Sequence, residues 1–191
     1  QGINVEGTPC MLLMQMPLPR SLQAEGAEDS FIRTLSQMQD DLRRDYVTGA
    51  YNAVYLNEQY RPIAERAAMS GTPVGVVMVR VNEYWQLREH ESDSAANCCL
   101  NMAAGILQLA VGPDHDKAVL ARLNDGFFAI VTIGTPAARM AQIVREAMND
   151  SRREFNISLS RRGSFTVEIA SAEWGETASW DMTLSLAQQR L

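Results

Sequence analysis

The run Val74-Gly75-Val76-Val77-Met78-Val79-Arg80-Val81 constrains this chain more than any other stretch. It is nearly continuous in apolar residues and rich in valine, and a strand of that kind has to be covered on both faces. The fold must therefore supply a layer on each side of a sheet, and the remaining patterns offer helices for it. Asn52 is placed to cap a helix reaching about Met69. Residues 94–111 carry Leu100, Ala103, Ala104, Leu107 and Leu109 on much of a helical surface. Residues 136–148 place Pro136 just inside a helix start, where its missing N–H costs nothing. The string "WDMTLSLAQQRL" closes the chain as an amphipathic helix. Further strands come from residues 119–133, two apolar runs around the hairpin signal Asn124-Asp125-Gly126, and from "SFTVEIAS", by alternation. An extra strand is predicted near 155–159. The expected fold class is α+β, a mixed central β-sheet flanked by helices and preceded by a long N-terminal helix.

The leading segment reads differently. Residues 8–16, "TPCMLLMQM", form a short apolar run without an evident neighbour to pair with, which suits the last strand of an upstream sensor domain. From about Ala27 to Arg44 the apolar residues Phe31, Leu35, Met38 and Leu42 recur at a spacing close to the 3.5-residue period of a two-helix coiled coil. The same seam also suits an amphipathic helix lying on its own domain. Three parts are expected: 1–20 as strand and linker, 21–44 as a signalling or coiled-coil helix, and 45–191 as one domain.

Composition narrows the function. With 17 basic against 23 acidic residues and a single lysine, Lys117, the net charge of −6 makes nucleic acid and anionic membrane surfaces unsuitable partners. The one basic cluster, Arg152, Arg153, Arg161 and Arg162, reads as a solvated loop face. Three cysteines without metal-ligand spacing predict no metal centre, no disulfide framework and a reducing, cytoplasmic setting. Cys98 and Cys99 read as small packing residues on different helix faces. His90 and His115 stand far apart in sequence and read as exposed loop residues. No apolar run approaching a membrane span is evident, so direct membrane contact is not expected, while a membrane anchor elsewhere in a longer parent protein is compatible with the chain.

Several strings resemble the GGDEF family, the diguanylate cyclases that join two GTP into cyclic di-GMP. The opening Asp-x-Leu-Thr-Gly-Leu-x-Asn-Arg of that family is matched at Asp45, Thr48, Gly49 and Asn52, followed by Tyr55 and Leu56. Its closing helix is matched at Asp181, Leu184 and Ala187, and its preceding strand resembles "FTVEIASA". The likeness covers about residues 41–191.

Other positions depart from the family. The signature Gly-Gly-Asp/Glu-Glu-Phe corresponds to Asn124, Asp125, Gly126, Phe127 and Phe128 after Ala121-Arg122-Leu123, so that Gly126 and Phe127 stand where the resemblance puts the metal-binding and catalytic acids. At the end of the valine strand the family's metal-binding Asp corresponds to Arg80 and its phosphate-binding Lys to Trp85. The guanine-binding Asn and Asp correspond to Arg88 and Asn97. The inhibitory Arg-x-x-Asp corresponds to His115-Asp116-Lys117-Ala118 and matches at neither end.

Two-metal phosphoryl transfer needs oxygen ligands around Mg²⁺, and a glycine, a phenylalanine and an arginine offer none. The resemblance with these departures implies no catalytic residues, no metal and no cofactor. It implies a catalytically inactive regulatory or dimerisation module of a larger bacterial signalling protein. Its expected partners are a second copy, through Phe31, Leu35, Met38 and Leu42, an upstream sensor domain and a downstream domain in the parent chain. The alternative is a metal-independent GTP-sensing domain using Arg80, Arg88, Asn97 and Gly126, in which Arg80 holds a phosphate in the metal's place. Against that stands Arg80 simply pairing with Asp125 or another neighbour. A working cyclase is the third reading, opposed by the replaced acids.

Overall fold

The computed structural model describes residues 2–5, 8–11, 27–112, 117–158 and 165–191. Two compact units make up the chain, Gln1–Asp40 and Asp41–Leu191. In the first, β1 (Gly2–Val5) and β2 (Thr8–Met11) pair antiparallel, with Gly2 opposite Met11 and Val5 opposite Thr8. The strand expected from residue 8 therefore has a local partner, Gly2–Val5, that sequence reading missed. Residues 12–16 of that expected strand lie outside the described residues, as do His115 and the side chains of the predicted basic cluster. The helix α1 (Ala27–Arg43) follows, and its last residues belong to the second unit.

The second unit is built on a five-stranded sheet of order β3-β5-β6-β4-β7. These strands are β3 (Tyr51–Asn52), β4 (Val74–Val81), β5 (Ala118–Asn124), β6 (Phe127–Ile133) and β7 (Val167–Glu173). β3 runs parallel to β5 and every other pairing is antiparallel, so the sheet is mixed, as expected. β4 lies between β6 and β7 and has seven buried residues of eight. Its side chains alternate between two cores. Val77, Val79 and Val81 face the layer of α5 (Asp93–Val111) and α6 (Ala137–Ser158). Val74, Val76 and Met78 face the layer that includes Leu56, Tyr60, Ala64, Trp180 and Ala187. Burying one such valine contributes about 2 kcal/mol, which fixes the register, because a one-residue slip would exchange the two cores. Gly75 is needed for a close approach: a Cβ there would lie 2.5 Å from that of Ala137 at the start of α6.

The second layer begins with α2 (Ala53–Tyr55), a π turn over Leu56–Tyr60 and α3 (Arg61–Met69), and ends with α7 (Trp174–Thr177) and α8 (Trp180–Gln189). Asn57 in the π turn accepts the indole N–H of buried Trp180 at 3.1 Å, joining the two ends of the layer.

Three expectations need correction. The strand predicted near 155–159 is helical through Ser158, because no proline or glycine interrupts the sequence after Pro136 until Gly163. Leu109 is 84% exposed, whereas Leu100, Ala103, Ala104 and Leu107 are buried on the face α5 turns to the sheet. Cys98 is exposed while Cys99 is buried, and burial pushes the Cys99 thiol up to about 12, so only Cys99 is a packing residue. α5 is long and apolar enough to cross a membrane by length and composition, and in this fold its apolar face packs into the core beneath the sheet.

Candidate functional site

The hairpin turn at Asp125-Gly126 joins β5 to β6 and brings together the ends of several elements. Asp125 takes a positive φ of 34°, which a short polar side chain tolerates. Gly126 does not need its glycine for φ. It needs it for space: an added Cβ would sit 3.0 Å from both the Tyr84 Cβ and the Val81 carbonyl oxygen. The Gly126 carbonyl accepts the Val81 N–H at 2.9 Å, so the turn is tied to the end of β4.

On the β5 side an ion pair holds the turn. Arg122 donates through Nη1 to both carboxylate oxygens of Asp45, at 3.1 Å each, and through Nε and Nη2 to the Asp125 carbonyl at 3.2 and 3.1 Å. Asp45 also accepts from the Thr48 backbone N–H at 3.0 Å and from its hydroxyl at 2.8 Å. Burial alone would raise the Asp45 carboxyl, but the Thr48 bonds and the Arg122 guanidinium outweigh it and hold the pKa below the ordinary carboxylate value. The two side chains are only 13% and 16% exposed. Asn52 works at the same junction: its Oδ1 accepts from Tyr55 N at 2.8 Å as the expected cap, while its Nδ2 donates to the Leu42 carbonyl at 2.8 Å. Arg44 stacks over Tyr51 at 4.6 Å, and Tyr51 stacks on Tyr55 at 4.0 Å. A cavity of about 460 Å³ opens beside this junction, lined among others by Arg44, Tyr51, Gln108 and Leu120.

On the β4 side the candidate residues are gathered differently. Arg80 lies directly opposite Phe127 on β6 and Glu168 on β7, and its Nη2 donates to the Glu168 carboxylate. Both side chains of that pair are about two-fifths exposed, at 40% and 42%. Next to it, Glu83 accepts the Thr166 N–H and hydroxyl, each at 2.7 Å, and Asn82 donates to the Thr166 hydroxyl at 3.1 Å.

Arg88 sits on α4 (Tyr84–His90), a short helix that the sequence reading did not foresee. It donates to Asp93 at 3.0 Å, lies 3.8 Å from the Asp125 carboxylate and covers the half-exposed Trp85 ring at 5.5 Å. The neighbouring Tyr84 first, and then Asp93, raise its pKa. Asn97 is half-buried on α5, and His90 is exposed at the end of α4. Asn124 is exposed, Phe127 half-buried and Phe128 fully buried in the core. Among the described residues, no group of three or more His, Cys, Asp or Glu side chains could hold a metal ion.

The model of the family described as "Diguanylate cyclase, GGDEF domain" matches residues 42–191. The chain belongs to the GGDEF family. Among solved structures, the coiled coil and GGDEF domain of DgcB from Caulobacter crescentus, in complex with c-di-GMP, has a TM-score of 0.71. It is 19% identical, with 85% of this chain and 86% of that one covered. The FimX GGDEF domain from Pseudomonas aeruginosa has a TM-score of 0.64 at 21% identity, with 78% and 90% covered. The S helix-GGDEF-EAL structure of Vibrio cholerae LapD, bound to c-di-GMP, has a TM-score of 0.65 at 16% identity. There 84% of this chain covers 36% of that one. At these identities the likeness is one of fold.

Arg80, Gly126 and Phe127 lie together at one end of the sheet. Sequence reading missed the carboxylates that meet its two candidate arginines: Glu168 on Arg80 and Asp93 on Arg88. Asp93 lies five residues after Arg88 and was within reach of sequence reading. Glu168 is brought to Arg80 only by strand register.

Proposed function

We propose that this GGDEF domain does not synthesise cyclic di-GMP and serves as a regulatory or dimerising module of a larger bacterial signalling protein. The observation that carries the reading is the pairing of Arg80 with Glu168 at the end of β4. There the family resemblance puts a divalent-metal ligand, and a guanidinium opposes a metal ion instead of coordinating it. Gly126 and Phe127, beside it on the turn, contribute no side-chain oxygen. The residues present therefore do not fit the family's Mg²⁺. The altered signature still forms its hairpin, held by Asp45 and Arg122.

Three parts follow in this reading: 1–20 as strand and linker, 21–44 as the signalling helix, and 45–191 as the GGDEF domain, in a cytoplasmic setting. Self-association runs through Phe31, Leu35, Met38 and Leu42, which are 44, 44, 57 and 80% exposed. Leu35→Glu with Met38→Glu is expected to convert a dimer to a monomer in sedimentation analysis; an unchanged mass would remove the helix from the account. The catalytic part is tested by calorimetry with GTP in the presence and absence of Mg²⁺. No Mg²⁺-dependent heat is expected, and saturable Mg²⁺-dependent binding would count against the reading. Metal-free GTP binding that is lost in Arg80→Ala would instead support the alternative, a nucleotide sensor.

A further inference from the structure

The sheet of the second unit ends in two unequal edges. β3 is two residues long, whereas β7, at the opposite edge, is seven. An edge strand of that length presents a row of backbone groups to which another strand can add. Which groups face outward follows from the register. Thr166 accepts the Asn82 N–H, so Glu168, Ala170 and Ala172 also turn their backbone groups to β4, while Val167, Ile169, Ser171 and Glu173 turn theirs away from the sheet.

Several of those outward groups are already engaged. Arg145 on α6 donates through Nη2 to the Ile169 carbonyl at 3.1 Å, and Arg190, just past α8, donates through Nη1 to the Ser171 carbonyl at 2.8 Å. The two helices lie on opposite faces of the sheet, so the edge is gripped from both. Arg190 is held in turn by both carboxylate oxygens of Glu176, and Glu176 also accepts the outward Glu173 N–H at 2.8 Å. Both arginines are exposed, so these bonds replace bonds to water and add little stability. What they change is the edge.

The strand is also complementary to itself. Pairing two copies of β7 antiparallel about Ala170 sets Ile169 against Ser171 and Val167 against Glu173. That register meets outward groups with outward groups and places no acid opposite an acid. The carbonyls at the centre of such a ladder are the two that the arginines cover.

We infer that β7 is a self-complementary pairing edge that Arg145 and Arg190 hold closed against a second copy of this chain. Each guanidinium fills a carbonyl that an incoming N–H would need. Each also carries a charge that the two-fold would bring against the other arginine of the second copy. The inference depends neither on cyclase activity nor on pairing through α1.

The test is sedimentation of the whole chain over a concentration series, in the wild type and in the Leu35→Glu, Met38→Glu background, so that pairing through α1 is read separately. Arg145→Ala with Arg190→Ala is expected to roughly double the mass in each background, at concentrations where the parent's mass stays constant. Hydrogen exchange at the amides of Ile169 and Ser171 is expected to slow by about tenfold or more on association, with no such change in the other strands. Adding Ser171→Pro removes an outward N–H and no bond to β4, and is expected to return the mass to the parent's. Arg145→Ala alone leaves the contacts of Arg190 with Glu176 intact and is expected to associate at higher concentration. Urea unfolding confirms that each variant is folded. An unchanged mass in the folded variants, growth that survives Ser171→Pro, or protection that appears in strands other than β7 would each overturn the inference.

Discussion

Two arginine–carboxylate pairs flank β6. Arg122 with Asp45 lies on the β5 side and Arg80 with Glu168 on the β4 side. The first is mostly buried, takes four hydrogen bonds through one guanidinium and closes on the backbone of the turn. The second is half in water and links two side chains at a strand end. The same chemistry therefore has two uses. Where the carboxylate is desolvated and each guanidinium nitrogen donates to a fixed acceptor, the pair is part of the scaffold. Where water competes, the pair is cheap to open, and its consequence lies in what it excludes.

Breaking the buried pair should have the largest effect. Asp45→Ala leaves the Arg122 guanidinium without its carboxylate and is expected to cost about 2–3 kcal/mol, somewhat below the cost for a fully buried pair. For a domain of this size that lowers Tm by roughly 5–10 °C in a thermal melt. Gly126→Ala comes next, at about 1–3 kcal/mol, because backbone as well as side-chain atoms crowd the added Cβ. A shift below about 0.5 kcal/mol in urea unfolding would show that the turn is looser than its contacts to Val81 and Tyr84 imply.

The pH dependence separates the pairs further. Asp45 has a folded-state pKa below its unfolded value, so the folded state holds its proton less tightly. Its stabilisation is complete above the unfolded value of about 4 and is lost as pH falls through the folded one. Urea midpoints measured downward from pH 5 should fall for the wild type and fall less steeply for Asp45→Asn. The smallest effect is expected at the exposed pair. A double-mutant cycle of Arg80→Gln and Glu168→Gln should give a coupling of about 0–1 kcal/mol. A coupling near that of Asp45 with Arg122 would mean that the pair on the β4 side is also scaffold, and the contrast would fail.

The two sides were not equally legible in the sequence. The valine run of β4 announced a doubly covered strand because burial on both faces erases alternation, and Asn52 announced a helix start because its cap bond spans only three residues. Arg122 was visible only as part of a family string. Its partner Asp45 lies 77 residues away, and local patterns carry no record of such pairings. Arg80 was legible as an unusual residue, but the choice among its possible partners depended on the register between β4 and β7. The short α4 escaped because Tyr84–His90 is too brief to show a helical period. The overlong α6 was cut short in the reading because its apolar spacing stops near Met148, although backbone helicity continues without it.

The central claim concerns chemistry at the end of β4, and one assay addresses it most directly. The purified chain is incubated with GTP and Mg²⁺ at concentrations that favour self-association, and the products are separated and identified by mass. The account predicts unreacted GTP and no cyclic di-GMP, since Arg80, Gly126 and Phe127 supply no metal-binding oxygen. Accumulation of cyclic di-GMP that is abolished by removing Mg²⁺ would contradict it.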